Sequence, residues 1–153
     1  MARAGFWAIE SNTIRFGRDG RWYSDDEPIV NQRIARLFAQ HITRGDDGQW
    51  WLVVGDERAP IVVDDTPFVV TRVDGSPRDG FSIELNDGSA EPLPADSLHI
   101  EDDVLYCSVK EAEFEARFLR AAQAELLGHA RQEGDGYVLP LPGGRRAPLR
   151  AGA

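Results

Sequence analysis

Glycine, aspartate and proline punctuate this chain so often that no apolar run between them is longer than a short strand. Gly17-Arg18-Asp19-Gly20, Gly55-Asp56-Glu57-Arg58, Asp64-Asp65-Thr66-Pro67, Asn86-Asp87-Gly88 and Gly143-Gly144 are turn signals. The runs beside them, among them Ile14 to Phe16, Trp50 to Val54, Ala59 to Val63, Phe68 to Val73 and Phe81 to Leu85, read as extended. Helical spacing breaks this pattern twice. Asn31 is a fitting N-cap for Ile34, Leu37 and Phe38, and Gly45-Asp46-Asp47-Gly48 closes that helix. Ser108-Val109-Lys110-Glu111 reads as a capping box opening a long helix to about Ala130, with Phe114, Phe118, Ala122 and Leu126 on one stripe and Glu113 spaced to pair with Arg117.

The pieces recur. Asp47-Gly48 and Asp135-Gly136 are turns in the same relative place, and in that register Arg58-Ala59-Pro60-Ile61 falls on Arg146-Ala147-Pro148-Leu149. Asp19 to Ser24 aligns likewise with Asp102 to Cys107. The expectation is an α+β fold of two similar halves, each a short antiparallel β meander with one helix, packed together because neither unit alone can bury its apolar face. Residues 1–73 form the first half on this reading. Residues 74–153 form the second, with the long helix and an acidic connector: 74–103 hold nine acidic residues and one basic residue, Arg78.

Composition removes several function classes. The 153 residues carry a net charge of −9, which opposes general nucleic-acid binding and a polybasic membrane surface. Cys107 is the only cysteine, so no internal disulfide forms. Glu10 interrupts the opening segment before a secretory apolar core accumulates, and no run approaches the roughly 20 apolar residues of a membrane span. A cytoplasmic bacterial protein is the expectation. Phosphate-binding loops, nucleophile elbows, H-E-x-x-H and EF-hand patterns are missing from the sequence, and no cofactor is expected.

Candidate site residues are few. His41 and His129 occupy equivalent places at helix ends and, with nearby aspartates, form an alternative metal site. The plainer reading is a histidine favoured by the helix dipole. Asp65 stands out among the acidic clusters because it lies between an apolar strand and Pro67-Phe68, and a structural corner is its simpler role. Trp22, Trp50 and Phe68 concentrate aromatic surface in the first half, and Tyr106 adds to it in the second. Arg117 and Arg120 are candidates for anion contact.

Asp19-Gly20-Arg21-Trp22, Arg33-Ile34-Ala35-Arg36-Leu37-Phe38, Asp47-Gly48-Gln49-Trp50-Trp51-Leu52, Val63-Asp64-Asp65-Thr66-Pro67-Phe68 and Glu115-Ala116-Arg117-Phe118-Leu119-Arg120 follow one another in an order similar to the bacterial family known as domain of unknown function 1285. The resemblance implies an α+β protein of two similar halves, with a role in signalling or ligand sensing and no catalytic residues to carry over. The expected function is a non-enzymatic ligand-binding or interaction module, with Trp22, Trp50, Asp65, Phe68, Tyr106, Arg117 and Arg120 as binding residues. A small molecule or a protein is the partner, and the oligomeric state, a homo-oligomer included, stays open. The alternative is a metal-assisted or carboxylate hydrolase using His41, His129 and Asp65.

Overall fold

Short strands joined by tight turns follow wherever glycine or aspartate supplies left-handed backbone. The structure, a computed structural model, describes residues 13–151; the opening segment read for a secretory signal lies outside them. The fold is α+β and rich in sheet: among the described residues sixteen strands accompany two α-helices. Contacts divide the chain into two units, one ending at Pro67 and the other beginning at Phe68.

In the first unit, β1 (Ile14–Phe16), β2 (Trp22–Ser24), β3 (Glu27–Pro28), α1 (Gln32–Gln40), β4 (Ile42–Arg44), β5 (Trp50–Val54) and β6 (Glu57–Val63) follow in sequence. The strands form one sheet in the order β3-β2-β1-β6-β5-β4. All neighbours run antiparallel except β1 and β6, which are parallel with Ile14 opposite Ile61. Asn31 caps α1 as its side chain suggests, accepting from the backbone N–H groups of Arg33 and Ile34 at 3.0 and 3.2 Å. Phe38 and Ala39 turn α1's apolar face inward, and Phe38 meets the edge of Trp22 with ring centroids 5.4 Å apart. Phe16 lies 4.8 Å from the same indole. Burying each of these large side chains contributes about 2–3 kcal/mol.

The second unit contains β7 (Phe68–Ser76), β8 (Gly80–Leu85), β9 (Ala90–Pro92), a 3-10 turn (Ala95–Ser97), β10 (His99–Glu101), β11 (Val104–Val109), β12 (Phe114–Phe118), α2 (Arg120–Leu127), β13 (Arg131–Glu133), β14 (Gly136–Pro140), β15 (Arg146–Pro148) and β16 (Arg150–Ala151). Seven strands form a sheet in the order β16-β10-β11-β12-β7-β8-β9, and β13-β14-β15 form another. The supposed acidic connector is therefore largely sheet, with Glu84 alternating outward from Phe81, Ile83 and Leu85 in β8.

The long helix expected from Ser108 is corrected to strand, turn and strand followed by a helix of eight residues. A spacing of four is even, so Phe114 and Phe118 share a face in a strand as readily as on a helix. Ala116, between them in that alternation, is buried as well. The capping box fails for a local reason: the Ser108 backbone N–H belongs to β11 and donates to the Ser97 Oγ at 2.9 Å. The expected helical pairing of Glu113 with Arg117 goes with it, since Arg117 lies opposite Tyr106 across the sheet.

At the β7–β8 hairpin Gly75 has φ +111°, and a Cβ there would run into the carbonyl of Gly80. Gly134 is also left-handed, at φ +60°, but nothing lies within 4 Å of an added methyl. Gly75→Ala is expected to destabilise the protein by about 2–4 kcal/mol and Gly134→Ala by about 1 kcal/mol, read from urea unfolding midpoints.

Candidate functional site

Three consecutive non-glycine residues in the turn between β11 and β12 have left-handed backbone: Lys110 (φ 56°), Glu111 (φ 58°) and Ala112 (φ 67°). Each costs roughly 1–2 kcal/mol relative to a right-handed conformation, so the surroundings must over-determine the turn. They do so through Lys110, the chain's only lysine. Its Nζ donates to Asp87 Oδ2 at 2.6 Å and to Ser89 Oγ at 2.9 Å, and lies 5.3 Å from the ring centroid of Phe68. Its backbone N–H is shared between the two oxygens of Glu91, each at 3.3 Å.

Asp87 is 8% exposed. Burial pushes its carboxyl upward, but hydrogen bonds from Lys110 and Ser89 outweigh that and hold it below the ordinary aspartate value. A serine and a lysine at hydrogen-bond distance invite comparison with a Ser–Lys nucleophile and base. Here Nζ spends its protons on Asp87 and Ser89, while the Ser89 hydroxyl donates to Asp87 Oδ1 at 2.6 Å. The serine hydroxyl is thus directed at the carboxylate and not at the lysine, and the three side chains tie the turn down as an anchor.

Beside the anchored turn is an open cleft of ≈ 380 Å³, lined by Glu91 from β9, Asp96 and Ser97 from the 3-10 turn, Ser108 from β11, Glu111 and Arg145, with Leu93 and Pro94 as its apolar side. That volume falls toward the lower end of the roughly 300–1,000 Å³ typical of small-molecule sites. Ser97 Oγ donates to the Pro94 carbonyl at 2.7 Å and accepts from Ser108 N. A cleft of similar size in the first unit is lined by Ser24, Asp25, Glu27, Pro28 and Ile29, a single hairpin with no convergent groups from elsewhere.

The residues singled out in the sequence are spread over both units. Trp22 is 2% exposed and packs in the interior, its indole N–H lacking a hydrogen-bond partner among the described residues. Trp50 is half-buried under the Arg44 guanidinium at 5.1 Å, and Trp51, on the opposite face, sits 4.2 Å from Arg58. Asp65 is half-buried in the bend after β6, next to Asp64, which takes Arg15 at 2.6 Å. In the second unit Phe68 lies under Lys110, and Tyr106 stacks on His99 at 5.4 Å and faces Arg117. Arg120 is exposed at the start of α2. His41 donates from Nδ1 to the Leu37 carbonyl at 2.8 Å, as suits a helix end, while His129 lies 3.4 Å from Glu125 and tilts against Phe81. Among the described residues no three His, Cys, Asp or Glu side chains gather closely enough to hold a metal ion.

Residues 7–66 match the family described as the N-terminal domain of DUF1285, a domain of unknown function. This stretch resembles a DUF1285 N-terminal domain. The second unit extends the likeness, because the chain is similar to the crystal structure of a DUF1285 family protein from Silicibacter pomeroyi DSS-3 at TM-score 0.70 and 25% identity, over 89% of this chain and 78% of that one. A DUF1285 family protein from Shewanella baltica OS155 shares the fold at TM-score 0.61 and 17% identity, over 78% of this chain and 93% of that one. Among curated proteins none matches. The matched DUF1285 segment stops at Thr66, so the Lys110 anchor and its cleft lie beyond it. No helix among the described residues is long and apolar enough to cross a membrane.

Two expectations follow from the anchor and its surroundings. Because the Asp87 pKa is lower folded than unfolded, its stabilisation is present above about pH 4, the unfolded aspartate value, and is lost as pH falls through the folded pKa. Asp87→Asn should cost about 1–3 kcal/mol at pH 7, and denaturant titrations should show the gap to wild type narrowing on acidification. Burial, with smaller help from Glu91 and Glu115, pushes the Cys107 thiol up to about 12. A thiol reagent at pH 8 should therefore modify the native protein far more slowly than the unfolded chain.

Proposed function

We propose that this protein is a non-enzymatic binding module whose ligand sits in the cleft beside the Lys110–Ala112 turn. The observation that carries the reading is the turn itself: three left-handed residues are held by a nearly buried carboxylate, and two of them, Glu111 and Ala112, line a cavity of small-molecule size. Strain fixed in this way presents Glu111 and Ala112 at defined positions, which preorganises a wall for a ligand. The signalling role implied by the family resemblance then takes the form of sensing that ligand, in a cytoplasmic setting.

The two units are read here as variations on one plan. The order β3-β2-β1-β6, with β1 and β6 parallel, has its counterpart in β12-β11-β10-β16, with β10 and β16 parallel. The long β6 takes the places of both β15 and β16, so the meander β6-β5-β4 corresponds to β15-β14-β13, and each helix stands between the same two elements. Under this plan the hairpin β2–β3 matches β11–β12, and each carries a cleft. The second is the elaborated one, because β9 and the 3-10 turn have no counterpart in the first unit. Specialisation of one copy of a duplicated unit supports a binding role there.

A metabolite panel scanned by thermal unfolding tests the reading. A ligand at about 100 times its dissociation constant contributes about 2.7 kcal/mol, or roughly 5–10 °C in Tm for a chain of this length. Asp96→Trp, an exposed substitution that fills the cleft, should remove the shift. A shift that survives Asp96→Trp, or a panel in which nothing shifts wild type, overturns the proposal.

A further inference from the structure

We infer, building on the binding role above, that the cleft takes a small organic cation that also carries an anionic end, the chemistry of a basic amino acid. Glu91, Asp96 and Glu111 face the cleft with Arg145, so three carboxylates stand against one guanidinium. A ligand of net positive charge complements that lining; a dianion is repelled by it.

The pairing pattern narrows the class. Asp96, Glu111 and Arg145 make no ion pair with one another or with any other described residue. Charges of both signs are thus left uncompensated around one cavity, a pattern that suits a molecule presenting both signs. The Ser108 hydroxyl is likewise without a partner among the described residues and adds a donor or acceptor. Glu91 holds the Lys110 N–H only at 3.3 Å to each oxygen, long enough to leave acceptor capacity for a ligand.

A bare metal ion is a poor fit, because the carboxylates are too spread to converge on one point. An extended cation satisfies them singly, with its methylene stem along Leu93 and Pro94. Glu111 and Asp96 then take the ammonium or guanidinium group and Arg145 the carboxylate. Since Glu91 accepts from the strained turn as well as lining the cleft, a cation that engages it also bears on the turn.

Isothermal titration of the full chain with L-arginine, L-lysine, 1,4-diaminobutane and succinate tests the class. The basic amino acids should bind. Glu111→Gln, at an exposed position, should weaken them about tenfold, matching the ~1.4 kcal/mol of a charge-assisted hydrogen bond. Arg145→Ala should weaken the amino acids and leave 1,4-diaminobutane unchanged. Succinate binding more tightly than either amino acid, or Glu111→Gln strengthening the bound probe, overturns the class while leaving the binding role intact. So does failure of all four probes when a metabolite from the thermal panel still depends on the open cleft. If none of the four binds and no metabolite depends on the cleft, the binding role and the class fail together.

Discussion

The contact between the Lys110 ammonium and the Asp87 carboxylate is the interaction on which the second unit's distinctive surface depends. Left-handed backbone at three successive side-chain-bearing residues does not persist unaided. Nζ on Asp87 and Ser89, with the backbone N–H on Glu91, ties the turn to two strand ends on the far side of the same sheet. A lysine suits this task better than an arginine: its compact charge offers three donors from one nitrogen to partners that do not lie in a plane. The low exposure of Asp87 strengthens the contact and makes loss of either partner costly.

Much of the first unit was legible because its structure is local. Asn31 announced α1 through its side chain, and the glycine and aspartate turns bounded β1, β2, β5 and β6 within a residue or two. The second unit was read less well where two periods coincide. Phe114 and Phe118 fit a helix and a strand equally, and Lys110 sits in a turn whose conformation its own residue type disfavours. What decided the matter was a carboxylate twenty-three residues earlier, a separation no periodicity reveals.

The same holds for the candidate site. Aromatic clustering drew attention to Trp22 and Trp50, yet the polar groups that converge on a cavity come from β9, the 3-10 turn, β11 and Arg145, each unremarkable in its own segment. One signal was available: in a chain with seventeen basic residues, a single lysine stands among arginines. The excess of negative charge between 74 and 103 also proves to have structure. Asp87 anchors the turn, Glu91 and Asp96 face the cleft, and Asp74 and Glu84 pair with Arg72, so much of that charge has a specific place in the structure.

The parallel pairs have a consequence for how each unit is assembled during synthesis. Parallel neighbours need a crossover between them, so β1 waits for β6, β7 waits for β12 and β10 waits for β16. By the time Val63 has emerged, every strand of the first sheet is present, and that unit can close while the rest of the chain is still being made. The second unit has no such early closure. Its β10 lacks a neighbour on one side until Arg150 and Ala151 arrive, which leaves a growing sheet edge uncovered through most of its translation.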